Sequence, residues 1–268
     1  MAQTRRGYIF SAFLLSVLCL LLTVLSIASN SWIVSSAVVD GQVQDSSIRY
    51  GLFRGLFDDR AFATPVTSTL YMTCLPGKDA CAMSCKTNRE ARKQEVAALA
   101  DGFTPNPTCT SVTTVDTTNP LQKPPVISFI FYLFVVLTLC LQLVFAAVSA
   151  LLTIINATKN PTEPIFGLPG CRLANIVCSI LGVIVLLMFG IYWATSGLQD
   201  HLAFSFIALD FYQPNPGLGY SYWLLIAAVV SSTGSVGLIQ LRSYLLERDP
   251  PPPTLKMDNH SDGTIFLY

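Results

Sequence analysis

Residues 8–29 read YIFSAFLLSVLCLLLTVLSIAS, a run of twenty-two residues without a charge. At 1.5 Å of rise per residue, about 20 apolar residues cross a hydrocarbon core roughly 30 Å thick. Three more uncharged apolar runs reach that length, at 126–155, 173–194 and 220–241. The second exceeds a span by about ten residues, so it tilts or projects beyond the bilayer. Composition agrees, with 52% apolar and 12% charged residues against about 25% charged in a soluble domain. The sequence therefore predicts four membrane spans. Zero formal net charge and the lack of a basic block argue against nucleic acid as a partner.

Arg5 and Arg6 ahead of the first run resemble the start of a signal peptide. The run is longer than a secretory core of about 7–15 residues, and no small-x-small site precedes a soluble start, so it reads as an uncleaved anchor. Arg5, Arg6, Lys159, Arg172, Arg242, Arg248 and Lys256 flank one side of the spans, while 195–219 holds Asp200 and Asp210 but no Lys or Arg. Positive charge stays in the cytosol. The expected layout is a cytosolic N-terminus (1–7), a span (8–29), an extracellular loop domain (30–125) and a second span (126–155). A cytosolic loop (156–172), a third span (173–194), an extracellular loop (195–219), a fourth span (220–241) and a cytosolic tail (242–268) follow. A multi-pass membrane protein with both termini in the cytosol is expected.

The first loop is large enough to fold by itself. Asp40-Gly41 between β-prone segments predicts a hairpin, because a type I′ turn needs positive φ. A second β-prone run is read over 48–57. Cys74, Cys81, Cys85 and Cys109 all fall in this loop. An even number in an oxidising compartment predicts two disulfides in one of three pairings; zinc is the rival, since Cys81-x-x-x-Cys85 has tolerable ligand spacing. Residues 88–100 read as a short solvated helix capped by Asn88 and closed by Gly102. Asn106-Pro107-Thr108 fails as a glycosylation sequon because of its proline, and Asn156-Ala157-Thr158 and Asn259-His260-Ser261 fall on the cytosolic side.

The runs contain no Asp, Glu, Lys, Arg or His, which argues against a proton-coupled pump. Histidines 201 and 260 sit near no nucleophile, and no phosphate loop or zinc-protease motif is present. An enzyme is not expected, nor a cofactor or metal. A transporter is disfavoured for want of buried polar sites. The spans offer packing surfaces instead: Ala174, Cys178 and Gly182 recur every fourth residue, as do Ser231 and Ser235, and Ala146 and Ala150. Small residues at that interval let helices approach closely in lipid, within one bundle or between copies or lateral partners. Tyr8, Trp32, Trp193, Tyr220, Tyr222 and Trp223 read as interfacial anchors, and a role for Trp32 in packing the sheet onto the bundle is compatible with that. Cys171 reads as a buried small residue or a palmitoylation site. The chain ends Phe266-Leu267-Tyr268 after a proline rod at 250–253. Apolar last and third-last side chains with a free carboxylate suit capture by a PDZ scaffold, although many chains end apolar by chance.

Trp32 outside the first span, Tyr50-Gly51-Leu52-Phe53-Arg54-Gly55, then loop cysteines, resemble the claudin and peripheral-myelin-protein superfamily. The Y-G-L-F-x-G motif, Gly167-Leu168-Pro169-Gly170 and the Tyr terminus resemble the clarin family more closely. The loop lacks the sequon of vertebrate clarins and its 81–109 segment is longer, which fits a divergent member. The resemblance implies a non-enzymatic tetraspan membrane protein of sensory or synaptic membranes, linked to the actin cytoskeleton. The fold expected is an all-α transmembrane four-helix bundle with a small extracellular β-rich, disulfide-stabilised, claudin-like loop domain. The function expected is a membrane organiser or adaptor. An auxiliary channel subunit or a claudin-like pore or adhesion protein is the alternative, although first-loop charge is balanced at nine acidic and nine basic residues and selects no ion sign.

Overall fold

The computed structural model describes residues 2–39, 42–59, 66–106, 108–118, 120–121, 124–158, 166–197 and 213–248. In chain order they form helix α1 (Ala2–Ala28) and strands β1 (Ile33–Val39), β2 (Gln42–Tyr50), β3 (Arg54–Asp59), β4 (Val66–Leu75) and β5 (Ala80–Ser84). Helix α2 (Arg89–Ala100) and the short pair β6 (Thr104–Pro105) and β7 (Val115–Asp116) come next. Helices α3 (Phe129–Thr158) and α4 (Leu168–Thr195), strand β8 (Gln213–Leu218) and helix α5 (Tyr220–Arg248) complete the order.

Helices α1, α3, α4 and α5 are long and apolar enough to cross a membrane, consistent with a tetraspan bundle. They form a ring in which α1 and α4 each pack between α3 and α5. The outer surface is apolar: Leu14, Leu21, Ile130, Leu137, Leu187 and Val230 are all more than half exposed. The interior is small and polar. Ser16 on α1 lies 3.1 Å from Ser149 on α3, 3.3 Å from Asn175 Oδ1 on α4 and 3.1 Å from Ser235 on α5, so one hydroxyl joins all four helices. That distribution suits lipid, where hydrophobicity does not drive helices together and close packing and interhelical hydrogen bonds do.

Buried Gln142 and Asn175 correct the expectation that the spans hold no buried polar sites. Asn175 donates to Cys171 O at 3.0 Å, whereas the Gln142 amide has no partner among the described residues. Cys171 is fully buried against Ala12 and Ile239, which removes it as an acylation site. The helices also outrun the predicted spans: α1 starts at Ala2, α4 at Leu168 and α5 reaches Arg248.

The strands make one six-stranded antiparallel sheet in the order β5-β4-β3-β2-β1-β8. Val39 pairs with Gln42, the register of the predicted two-residue hairpin; Asp40 and Gly41 lie outside the described residues. The run over 48–57 is not one strand. Gly51-Leu52-Phe53 turns it, with the Gly51 N–H donating to Arg54 O at 2.9 Å. Sterics explain why: a Cβ on Gly51 would lie 2.7 Å from Ser29 O and 2.8 Å from the Asn30 Cα, so the turn abuts the end of α1.

The segment 195–219, expected as an extracellular loop, also supplies a strand: Gln213–Leu218 joins the sheet as β8 against β1. Pro214 and Pro216 cannot donate to a ladder, so this strand is confined to an edge, where it sits.

The disulfides are Cys74–Cys81, with Cα atoms 4.1 Å apart across β4 and β5, and Cys85–Cys109, which closes a 24-residue separation around α2. Chain-entropy arguments assign roughly 2 kcal/mol to the short loop and roughly 3.5 kcal/mol to the long one. The Asn88 side chain caps α2 by accepting from Glu90 N, and Gly102 leaves it at φ 80°.

The Gly182 site generates a direct test. A Cβ there would fall 2.5 Å from Val229 Cγ2 and 2.9 Å from Gln142 Nε2. Gly182→Leu should therefore cost about 1–3 kcal/mol by overpacking, read as a lower melting temperature in detergent. Val183→Leu, at a 40% exposed position on the outer surface, should leave melting unchanged; equal melting of both variants would contradict this packing.

Candidate functional site

Burial alternates along the strands with period two, as in an antiparallel sheet covered on one face. Ile33, Ile48, Tyr50, Phe57 and Leu70 are buried, in one cluster with Val135, Val185, Phe189 and Leu225 of the bundle. Val34, Arg49, Asp58 and Tyr71 point the other way. The sheet therefore has an inner face seated on the helices and an outer face turned from them.

Trp32 sits at the seam. It is 1% exposed, its indole N–H donates to Ser26 O at 2.8 Å, and its ring meets Phe189 edge-on at 5.0 Å and Tyr222 at 6.5 Å. Its backbone N–H donates to Tyr50 O, and its carbonyl accepts from Gly219 N, both at 2.8 Å. Trp32 is therefore not exposed as an interfacial anchor would be and packs the sheet onto the bundle, the other role read for it; Tyr222, also read as an anchor, packs against the same cluster. Tyr220 and Trp223 are more than half exposed, and Trp193 is only partly buried against the core cluster.

Where the inner face meets α3, a cavity of about 60 Å³ remains. Its walls are mostly apolar, among them Leu52, Met72, Met83, Phe131, Val135 and Phe189. Polar groups on the lining are few. The Tyr132 hydroxyl donates to Leu52 O at 3.1 Å. Tyr50 is 6% exposed, and its hydroxyl has no hydrogen-bond partner among the described residues. Burial pushes its ionisation well above the ordinary tyrosine range. The third group is the Glu95 carboxyl.

Glu95 corrects the expectation of a solvated helix: it is 6% exposed and accepts a short hydrogen bond from Ser84 Oγ. Burial raises its pKa, opposed by the Ser84 bond and by attraction to Lys86. Lys86 is fully buried, and its ammonium donates to Asn106 O at 3.0 Å, Asn106 Oδ1 at 2.8 Å and Thr108 O. That cation braces the loop closed by Cys85–Cys109. Desolvation depresses its pKa, and Glu95 opposes the shift. At the other end of β5, Asp79 caps α3: Oδ1 accepts from Ile130 N at 3.0 Å and Oδ2 from Ser128 Oγ at 2.9 Å. Those bonds lower its pKa and couple the β4–β5 turn to the start of α3.

The outer face carries a second concavity of about 280 Å³ between β3, β4 and α2. Phe53, Arg54, Tyr71, Arg89, Arg92 and Lys93 supply its character. The Arg92 guanidinium stands 4.8 Å from the Tyr71 ring centroid and donates to Lys86 O and Thr87 O. Lys93 pairs with Glu90 at 3.0 Å. Arg54 and Arg89, both exposed, have no ion-pair partner among the described residues.

The sequence-predicted residues divide between these features. Trp32, Tyr50, Gly51 and Leu52 line the cavity. Phe53 is 46% exposed beside the outer groove, and Gly55 lets the Arg49 carbonyl approach to 2.5 Å of where a Cβ would stand. Ala174, Cys178, Gly182, Ser231 and Ser235 are all buried in the bundle, with Cys178 3.7 Å from Cys19. Cys74, Cys81, Cys85 and Cys109 form the two disulfides. Asn156 is 7% exposed and donates to Phe166 O at 2.7 Å, a reason independent of orientation for it to carry no glycan. Phe266, Leu267 and Tyr268, His201, His260 and Asn259 lie outside the described residues. Sequence reasoning missed Gln142 and Asn175, although amides inside apolar runs are themselves a signal, and missed the burial of Lys86 and Glu95, which has none.

No family model matches the chain, and no curated protein matches its sequence.

The Glu95 shift has a sign that can be measured. A raised carboxyl pKa means the folded chain binds the proton more tightly than the unfolded one. The contribution to stability therefore grows as pH falls through the folded pKa and is complete at the ordinary value of about 4.3. Glu95→Gln removes that titration and keeps an acceptor for Ser84. Melting of the wild type should rise relative to the variant as pH falls from neutrality toward the ordinary carboxyl value of about 4.3; a difference that stays constant over that fall would contradict the assignment.

Proposed function

We propose that this chain is a non-enzymatic, clarin-like tetraspan organiser of the plasma membrane, with both termini in the cytosol. It holds the sheet outside the cell and couples it inside to a scaffold or to actin. The claudin-like label for the sheet-and-bundle arrangement, and the sensory or synaptic setting, rest on the motif resemblance.

One observation carries this reading. The inner face of the sheet is locked to the helices around Trp32, while the outer face presents a groove with two aromatic rings and two arginines that have no ion-pair partner among the described residues. A rigid, outward basic–aromatic groove suits an acidic extracellular partner, since complementary charge steers encounter and sets register. The positive residues flanking the spans support an outward orientation of that face. Phe266-Leu267-Tyr268 supply a PDZ-type end on the other side.

An auxiliary channel subunit is the second reading, favoured by Thr233 and Gly237. Both are exposed on α5 at a four-residue interval, which leaves a close-approach surface for a lateral helix. A second copy of the chain is the other occupant that surface admits.

Impermeant cross-linking on live cells separates these readings. With Arg54→Glu and Arg89→Glu together, capture of acidic ectodomains should fall about tenfold or more, as expected when close charge pairs become repulsive. Wild-type capture should also weaken with salt. Unchanged capture at equal surface density would overturn the organiser reading, and a current that follows Gly237→Leu would favour the channel reading.

A further inference from the structure

The outer groove offers more than positive charge. We propose that it binds a sulfated glycan chain, whose sulfate esters meet Arg54 and Arg89 and whose sugar rings lie against Phe53 and Tyr71. This deepens the reading of the groove as a dock for an acidic extracellular partner, and rests on it.

The groups are brought together by the register of the sheet. Arg54 on β3 and Tyr71 on β4 are directly opposed, and opposed side chains stand about 4.5–5.5 Å apart at Cβ. The Arg92 guanidinium stands 4.8 Å from the centroid of the same ring. Its Nη1 donates to Lys86 O at 3.0 Å and to Thr87 O at 3.1 Å, which holds that head in place. Arg89 and Lys93 of α2 line the same groove. A planar guanidinium can pair two-pronged with an oxyanion. Phe53 and Tyr71, 46% and 37% exposed, leave ring surface open to the C–H face of a pyranose.

Charge balance leaves the arginines available. The carboxylates of Asp58 and Glu90 are engaged by Arg49 at 2.8 Å and by Lys93 at 3.0 Å. Arg54 and Arg89 have no ion-pair partner among the described residues, and both are exposed. Sulfate esters stay ionised at every physiological pH, so they supply the missing counter-charge throughout.

Extent favours a chain over a single ion. The groove, about 280 Å³, shares Tyr71 and Arg92 with an adjoining concavity of about 520 Å³. Ser68, Thr69 and Thr87 stand on the walls of the second. Small-molecule sites run roughly 300–1,000 Å³, so the joined trough takes several sugar units. Hydroxyl side chains donate and accept at once, as sugar hydroxyls do.

An acidic peptide suits the trough less well. Strands β3 and β4 are interior and paired on both edges, so no free ladder is offered to an extended chain. Cationic and hydroxyl-bearing walls do not match the apolar face of a docking helix either. A sulfated glycan needs neither, because it carries its anions, hydroxyls and C–H faces along one chain.

The full chain in phosphatidylcholine nanodiscs tests this with three fluorescent probes. They are a heparin octasaccharide, the same octasaccharide stripped of sulfate, and a polyglutamate equal in charge to the first. The sulfated probe should bind about tenfold or more tighter than either of the others, and its binding should weaken with salt. Arg54→Gln with Arg89→Gln should weaken it about tenfold or more. Tyr71→Ala should weaken it about fivefold at unchanged charge. Lys78→Gln removes a cation outside the groove, where Lys78 pairs with Asp101, and should change binding by less than about twofold. Protease resistance of the sheet shows that each variant is folded; if Tyr71→Ala does not fold, the arginine pair decides.

Polyglutamate binding as tightly as the sulfated probe would overturn the glycan assignment and leave the acidic-partner reading standing. Binding of none of the three would overturn both. Equal binding with and without sulfate, or an equal loss in Lys78→Gln and the arginine pair, would also overturn the proposal.

Discussion

The indole of Trp32 joins the two halves of this molecule. Its N–H closes onto Ser26 O at the end of α1, its ring packs on Phe189 and Tyr222, and its backbone pairs with Tyr50 and Gly219. A single residue therefore touches α1, α4, α5, β2 and the segment leaving β8. Fully buried, it contributes both a large apolar area and a satisfied donor. With that seam in place, the outer groove becomes a fixed surface relative to the helices.

Beneath the seam the bundle follows a different logic from a soluble core. Lipid is as apolar as leucine, so apolar side chains turn outward, and helices are matched by shape and by hydrogen bonds. Ser16, Ser149, Asn175 and Ser235 supply one such match, bringing α1, α3, α4 and α5 to a single node. Each interhelical bond contributes modestly, about 0.6 kcal/mol on average, but a slip of any one helix breaks the node. Gly182 adds the steric half of the match, because Gln142 and Val229 occupy the space its side chain would need.

Features that depend on neighbours in sequence were legible: the four apolar runs, the β1–β2 hairpin, the Asn88 cap and the Gly102 exit. The even cysteine number gave two bridges without their pairing, since pairing depends on the β4–β5 register that sets Cys74 opposite Cys81. What the sequence hid is non-local. The Gln213–Leu218 strand carries two prolines and a glycine, and only the exposed edge of β1 makes it a strand. Glu95 looks solvated on its own helix and is buried by the β5 residues beside it. In the sequence Trp32 suits an anchor as well as a packing residue, and only the closure of α4 and α5 over it selects the second. Composition near a span identifies aromatic residues but not which side of the bundle they occupy.

A sheet drawn from both loops and seated on one bundle is the claim on which the rest stands. Val34 on β1 is the register partner of Gly217 on β8, and directly opposed residues in an antiparallel pair have Cα atoms about 4.5–5.5 Å apart, within disulfide range. Val34→Cys with Gly217→Cys, expressed in the full chain and alkylated before digestion, tests it most directly. The account predicts a cross-linked peptide pair joining positions 34 and 217 in protein that reaches the cell surface. Surface protein in which both positions are alkylated and unlinked would contradict it.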